Sequence, residues 1–291
     1  MKKKYLSFRL INGLILFLLA VICIYPFYYV LIYSLSDSHE ALKGISFWPK
    51  GFTFHNYKIL LELNDIGNAF LISTARTVLG TGITVLCCTF FAYLVTNKYI
   101  WGRKIIYRFA VFTMYINAGI IPWYLVMDGL GLRNNFLLYI IPTALSAYNV
   151  ILIKTYLESL PVSLIESAEV EGAGLIRIFG KIVLPLCKPI LATIAVFAAV
   201  NQWNSYIDNL LLVTEPKLQT LQLILYNYLN SAQKLATMSQ ADLSNGEAVQ
   251  MIMPRSIQAT ITVIVTVPIL FVYPFMQRYF VKGVMLGAVK G

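Results

Sequence analysis

Asn201, Asn204, Ser205 and Asp208 recur at i, i+3, i+4 and i+7, so a continuous helix would carry all four on one face. Carboxamides and a carboxylate exchange hydrogen bonds with hydroxyls, and the adjacent Trp203 and Tyr206 offer rings on which C–H faces can stack. That combination suits recognition of a hydroxyl-rich ligand such as a sugar. The same residues admit a second reading, in which the amides bond between helices and Trp203 belongs to an aromatic belt. Asn117, with Tyr115, and the pair Tyr148 and Asn149 are weaker members of the polar set, for which packing is the competing role. Arg76 lies roughly 10 Å along its helix from the end at 1.5 Å per residue, so its side chain is expected to snorkel to the interface.

A second group, residues 154–188, is too long for a simple connector and has a helical pattern. Leu160-Pro161 breaks the preceding helix, and Ser163 with Glu166 three residues later predicts a capping box. The helix so opened runs through Ser167, Ala168, Glu169, Val170 and Glu171 until Gly172 and Gly174, which can end it by adopting positive φ. A second short helix, 175–182, is expected to stop at Leu184-Pro185. Small residues with a few carboxylates on such a hairpin make a knob suited to another protein's groove. A plain interfacial linker with solvated charges is the alternative.

Other chemistry is poorly served. Gly174 to Gly180-Lys181 imitates a phosphate loop, but five residues rather than four separate the glycines and Ile182 stands where a hydroxyl would meet Mg²⁺. His39 and His55 are the two histidines and fall in one loop, so convergent catalytic groups are not expected inside the apolar segments. Cys23, Cys87, Cys88 and Cys187 lack metal-ligand spacing and read as packing residues.

The elements that must position these groups follow from composition. Of 291 residues, 58% are apolar and 12% charged, and the mean hydropathy is +0.71, far outside soluble usage. The chain is expected to be all-α and polytopic, with spans near 13–35, 69–95, 109–127, 136–153, 189–213 and 256–277, six stretches long enough to cross hydrocarbon. The first, behind Met1-Lys2-Lys3-Lys4, reads as a retained signal anchor because it continues without a small-x-small cleavage site. Fifteen Lys and Arg fall on the side of the termini and seven on the other, with Arg76 in a span, which predicts both termini in the cytoplasm. The net charge of +10 is therefore topological, not a nucleic-acid footprint. Outer loops span 36–68 and 214–254. In the second, Leu218, Leu221, Leu225, Tyr228 and Leu229 suggest an amphipathic helix, lying at the interface or packed on neighbouring spans. The whole is read as a single transmembrane domain, 1–291.

Glu166-Ser167-Ala168, three residues, Gly172, nine residues, then Ile182-Val183-Leu184-Pro185 resembles the EAA signature of ABC importer permeases, with Ser167 where the pattern usually has Ala. Phe47-Trp48-Pro49, Asn117-Ala118-Gly119-Ile120-Ile121-Pro122, Trp203-Asn204-Ser205-Tyr206 and the ending Phe280-Val281-Lys282-Gly283 extend the resemblance over nearly the whole chain. They are similar to the sugar-uptake permeases of the maltose-transporter G type, especially the complex-oligosaccharide branch. The resemblance implies the type I importer fold in a bacterial cell membrane and a role for Glu166, Ser167, Ala168, Glu171, Gly172, Ile182, Leu184 and Pro185 in coupling to an ATPase. It further implies a second permease subunit, two cytoplasmic ATPase subunits and an extracytoplasmic solute-binding protein. No cofactor is expected on this chain, ATP and Mg²⁺ belonging to the ATPase. An importer of a non-sugar solute, a self-sufficient channel and a membrane enzyme are the alternatives.

Overall fold

Long apolar runs without water to bond their backbone must satisfy it internally, and the described residues of the computed structural model are helical with no strand. It describes residues 2–41, 47–63, 66–237 and 255–288. Lys43 and Lys290, which enter the orientation argument, lie outside them.

In chain order the helices are α1 (Lys2–Ser34), α2 (Ser38–Ala41), α3 (His55–Leu63), α4 (Ile66–Thr96), α5 (Arg103–Thr113), α6 (Ile120–Gly129), α7 (Ala147–Glu158), α8 (Ser163–Val170), α9 (Leu175–Ile178), α10 (Leu184–Leu186), α11 (Lys188–Asn204), α12 (Ile207–Leu212), α13 (Leu221–Thr237) and α14 (Arg255–Ala288). Short 3₁₀ turns occupy Phe136–Tyr139 and Pro216–Leu218, and a π turn occupies Phe179–Val183.

Among the described residues, two helices, within α1 and α4, are long and apolar enough to cross a membrane unaided; the pair 175–186 and 188–204, bent by 82°, makes a third if counted as one span. The expected third, fourth and fifth spans are broken for local reasons. Between α5 and α6, Gly119 adopts φ 85° and ψ 178°, a region open to glycine, while Asn117 Oδ1 accepts its N–H at 2.9 Å. Pro142 interrupts the fourth, and Ser146 restarts it by capping α7. The fifth breaks at Ser205, which is extended at ψ 131°.

Chain contacts divide the protein into two units, Met1–Ile66 with Ile224–Pro268, and Gly67–Leu223 with Ile269–Gly291. In the first, Asn56 Nδ2 donates to the carbonyls of Ser34 (3.1 Å) and Ser36 (2.8 Å), and the Ser38 and Ser256 hydroxyls meet at 2.7 Å, tying the end of α1 to α3 and α14. In the second, α4 runs unbroken beside the interrupted segments and satisfies their freed backbone. Thr84 Oγ1 donates to the Thr143 carbonyl at 2.9 Å, and Cys88 Sγ accepts from the Ser146 N–H at 3.3 Å. Leu221 and Tyr228 of α13 are buried, which favours the packed reading of that helix.

Candidate functional site

The loop of residues 154–188 folds as a hairpin whose root is packed and whose tip is bare. Helix α8 begins at Ser163 itself, because Val162 already has helical dihedrals (φ −60°, ψ −31°) and its O accepts from the N–H of Glu166 at 3.1 Å. The expected capping box is therefore absent: Ser163 occupies the first helical position, not the cap. Gly172 ends α8 at φ 78°, with its N–H on Glu169 O and the N–H of Ala173 on Ala168 O, both 2.9 Å, a Schellman arrangement. Gly174 has φ −69° and plays no such part.

The second helix departs from expectation too. After α9 comes the π turn, and Pro185 sits in the first turn of α10, where its missing N–H is harmless. The break falls two residues later, at Cys187. Ala168, Ile178, Val183 and Cys187 are buried in one core with Cys88, Tyr93, Ile153 and Ile194, and Phe179 lies 5.1 Å from the ring of Phe90. Glu166, Ser167, Glu171 and Gly172 are exposed, together with Val170 (89%) and Ile176 (76%). Of the motif, Ala168 thus anchors, Gly172 turns, Ile182, Leu184 and Pro185 lie along the return, and the carboxylates face outward.

The polar fifth segment is split by its break. Because α11 stops at Asn204, the four residues do not share one face. Asn201 and Asn204 are exposed, whereas Asp208, in the first turn of α12, is buried. Arg76 meets it there. The guanidinium is 1% exposed and makes a two-pronged pair with Asp208, Nη2 to Oδ2 at 2.6 Å and Nη1 to Oδ1 at 3.3 Å. Nη1 also donates to Ser205 O (3.2 Å), the carbonyl freed by the break, Nε donates to Gln202 Oε1 (3.2 Å), and the group lies 4.3 Å over the Tyr139 ring. The snorkelling expectation for Arg76 is overturned: an inward partner of opposite charge holds the side chain in the core. Asp208 is taken up by the same pair and presents no free carboxylate.

Gln202 completes the network by donating from Nε2 to Tyr139 O (3.0 Å) and Thr143 Oγ1 (2.6 Å). Gly80 makes room for it, since a Cβ there would fall 2.3 Å from Gln202 Nε2.

Beside this network opens a cavity of about 550 Å³, lined by Thr84, Thr143, Tyr148, Asn149, Phe197, Asn201 and Gln202 among others. It gathers three of the expected path residues, Tyr148, Asn149 and Asn201. Trp203 lies outside it, buried edge-on to Phe70 at 6.1 Å, and Asn204, Tyr206, Asp208 and Asn117 do not line it either. Gln202, Thr84 and Thr143 were missed by the sequence reading.

The family model for the inner membrane component of binding-protein-dependent transport systems matches residues 85–286, covering the hairpin and every cavity-lining residue named above except Thr84. The chain belongs to that family of ABC importer permeases. Over 290 residues it is 34% identical to the polygalacturonan/rhamnogalacturonan transport system permease protein of Bacillus subtilis (strain 168), covering 99% of this chain and 100% of that one. It is also 34% identical over 287 residues to protein LplC of the same organism, covering 98% and 95%. A crystal structure of a bacterial ABC transporter involved in import of the acidic polysaccharide alginate superposes with a TM-score of 0.82 at 28% identity, over 94% of this chain and 96% of that one. A permease of this family is a transport subunit without catalysis of its own, an inner membrane component that works with an ATPase and a solute-binding protein.

Proposed function

We propose that this permease is one half of the translocation path of an ATP-driven oligosaccharide importer, paired with a second permease subunit. The observation that carries this reading is the hairpin at 163–178, rooted in the core through Ala168 and Ile178 and bare at Val170, Glu171, Gly172 and Ile176. A protrusion whose base cannot yield without disturbing the spans is what force transmission from a separate ATPase requires. Whole-length similarity to permeases named for polygalacturonan and rhamnogalacturonan, and for alginate import, supports a glycan as the solute. Tyr148, Asn149 and Asn201, which line the cavity, are the residues on this chain that we assign to meet it.

In this reading the membrane is bacterial, six segments span it with broken helices at the third to fifth, and both termini are cytoplasmic. ATP and Mg²⁺ bind the two partner ATPases and no cofactor binds here. ATP-driven closure of the ATPases draws the hairpins together and rocks the spans from inward- to outward-facing, opening the path to the docked binding protein.

Cysteine at Val170 or Ile176 should cross-link to an ATPase subunit in membranes, with a yield that changes on adding ATP. Cross-linking to no ATPase subunit in any nucleotide state would remove the coupling assignment. At the cavity, Tyr148→Ala and Asn201→Ala should each slow oligosaccharide uptake about tenfold, as expected from losing roughly one hydrogen bond to substrate, with assembly unchanged on size-exclusion chromatography.

A further inference from the structure

The cavity wall is polar but carries no charge. Among the described residues, no Asp, Glu, Lys, Arg or His lines it. Among its polar groups, Gln202 uses both amide hydrogens and its oxygen inside the protein, and Thr84 gives its hydroxyl to Thr143 O. By contrast the side-chain amides of Asn149 and Asn201 and the hydroxyl of Tyr148 have no partner among the described residues, and Tyr148 is half exposed. The cation that touches this wall, Arg76, does so from behind Gln202 and is neutralised by Asp208 at 2.6 Å.

Amides and a phenol replace the water of a sugar hydroxyl nearly one for one. A carboxylate moved to the same place would lose hydration with no counter-charge to offset the loss. Resting on the reading of this cavity as part of the solute path, we propose that this subunit reads the passing sugar as a neutral polyol. Tyr148, Asn149 and Asn201 bond its hydroxyls, and the wall has no means of selecting a carboxylate. For a glycan that carries carboxylates, their recognition falls to groups outside this cavity wall.

The test uses the assembled transporter in membranes, with Cys23 and Cys87 replaced by serine; Cys88 and Cys187 are fully buried. Asn201→Cys is labelled with anionic sulfonatoethyl and with cationic trimethylammonioethyl methanethiosulfonate. Each rate is divided by that reagent's rate with a small thiol in solution, and Tyr148→Cys repeats the measurement from a second position. The anionic-to-cationic ratio should lie within about threefold of unity, as a wall with compensated charge requires, and adding Asp208→Asn should raise it about tenfold by releasing the Arg76 charge. A ratio favouring the anionic reagent tenfold before Asp208 is changed overturns the inference and leaves the path reading intact. If neither cysteine reacts with either reagent in any nucleotide state, the cavity is not on an aqueous route, and the path reading itself fails.

Discussion

Arg76 and Asp208 are the two residues among Asp, Glu, Lys and Arg that fall inside the six expected spans, on different segments and each a few residues from the same end. Two opposite charges at matching depth are far more economical paired than separately snorkelled, and that signal was legible without coordinates. It was missed because Asp208 was assigned to a helical face that assumes no break at Ser205. Since the pair is buried, removing one member is costly while removing both is not. Asp208→Asn should lower stability by roughly 3–5 kcal/mol, the range for breaking a buried pair, seen as an earlier thermal transition in detergent. The double variant with Arg76→Gln should recover most of that loss; a double variant as unstable as the sum of the singles would show that the two do not interact. Gly80 belongs to the same unit. Gly80→Ala should destabilise by displacing the Gln202 amide, and adding Gln202→Ala should remove most of the penalty, because the three atoms nearest the added Cβ all belong to that side chain.

For the helices, the pattern of apolar residues marked the segments that became the long spans of α1 and α4, but not the continuity of the expected third to fifth. Periodicity reports which face is buried, whereas breaks depend on where freed carbonyls find donors, and those donors lie far away in sequence: Thr84 for Thr143, Arg76 for Ser205. The hairpin was read in outline from Gly172 and the motif spacing. Its cap was misplaced because Pro161 starts the helical turn earlier than a capping serine would. At Gly172 the backbone, not space, sets the requirement, since φ is 78° and nothing lies within 4 Å of an added Cβ. Gly172→Asn should therefore retain most substrate-stimulated ATP hydrolysis, and Gly172→Val should lose it, a β-branched residue in the left-handed region costing upwards of about 1–2 kcal/mol. Equal loss in both would move the requirement from conformation to contact with the partner.

At the level of the molecule, exposed apolar side chains run along α1, α5 and α6, and no residue of α5 or α6 is buried within the chain. These surfaces need lipid or a companion protein. A tagged chain extracted in mild detergent should bring down an ATPase subunit, and reporter fusions near Arg103 and Arg177 should behave as cytoplasmic; recovery of the chain alone, with ion conductance in bilayers, would instead indicate a channel. The uninterrupted α4 carries a last implication, for biogenesis. It is synthesised before every interrupted segment it serves, so each gap emerging from the ribosome meets a ready set of donors already threaded into the bilayer. The direction of translation thus supplies an assembly order, and a permuted gene that makes α4 last should yield chains that stall, still hydrated, at Pro142 and Ser205 and are degraded, as pulse-chase labelling would reveal.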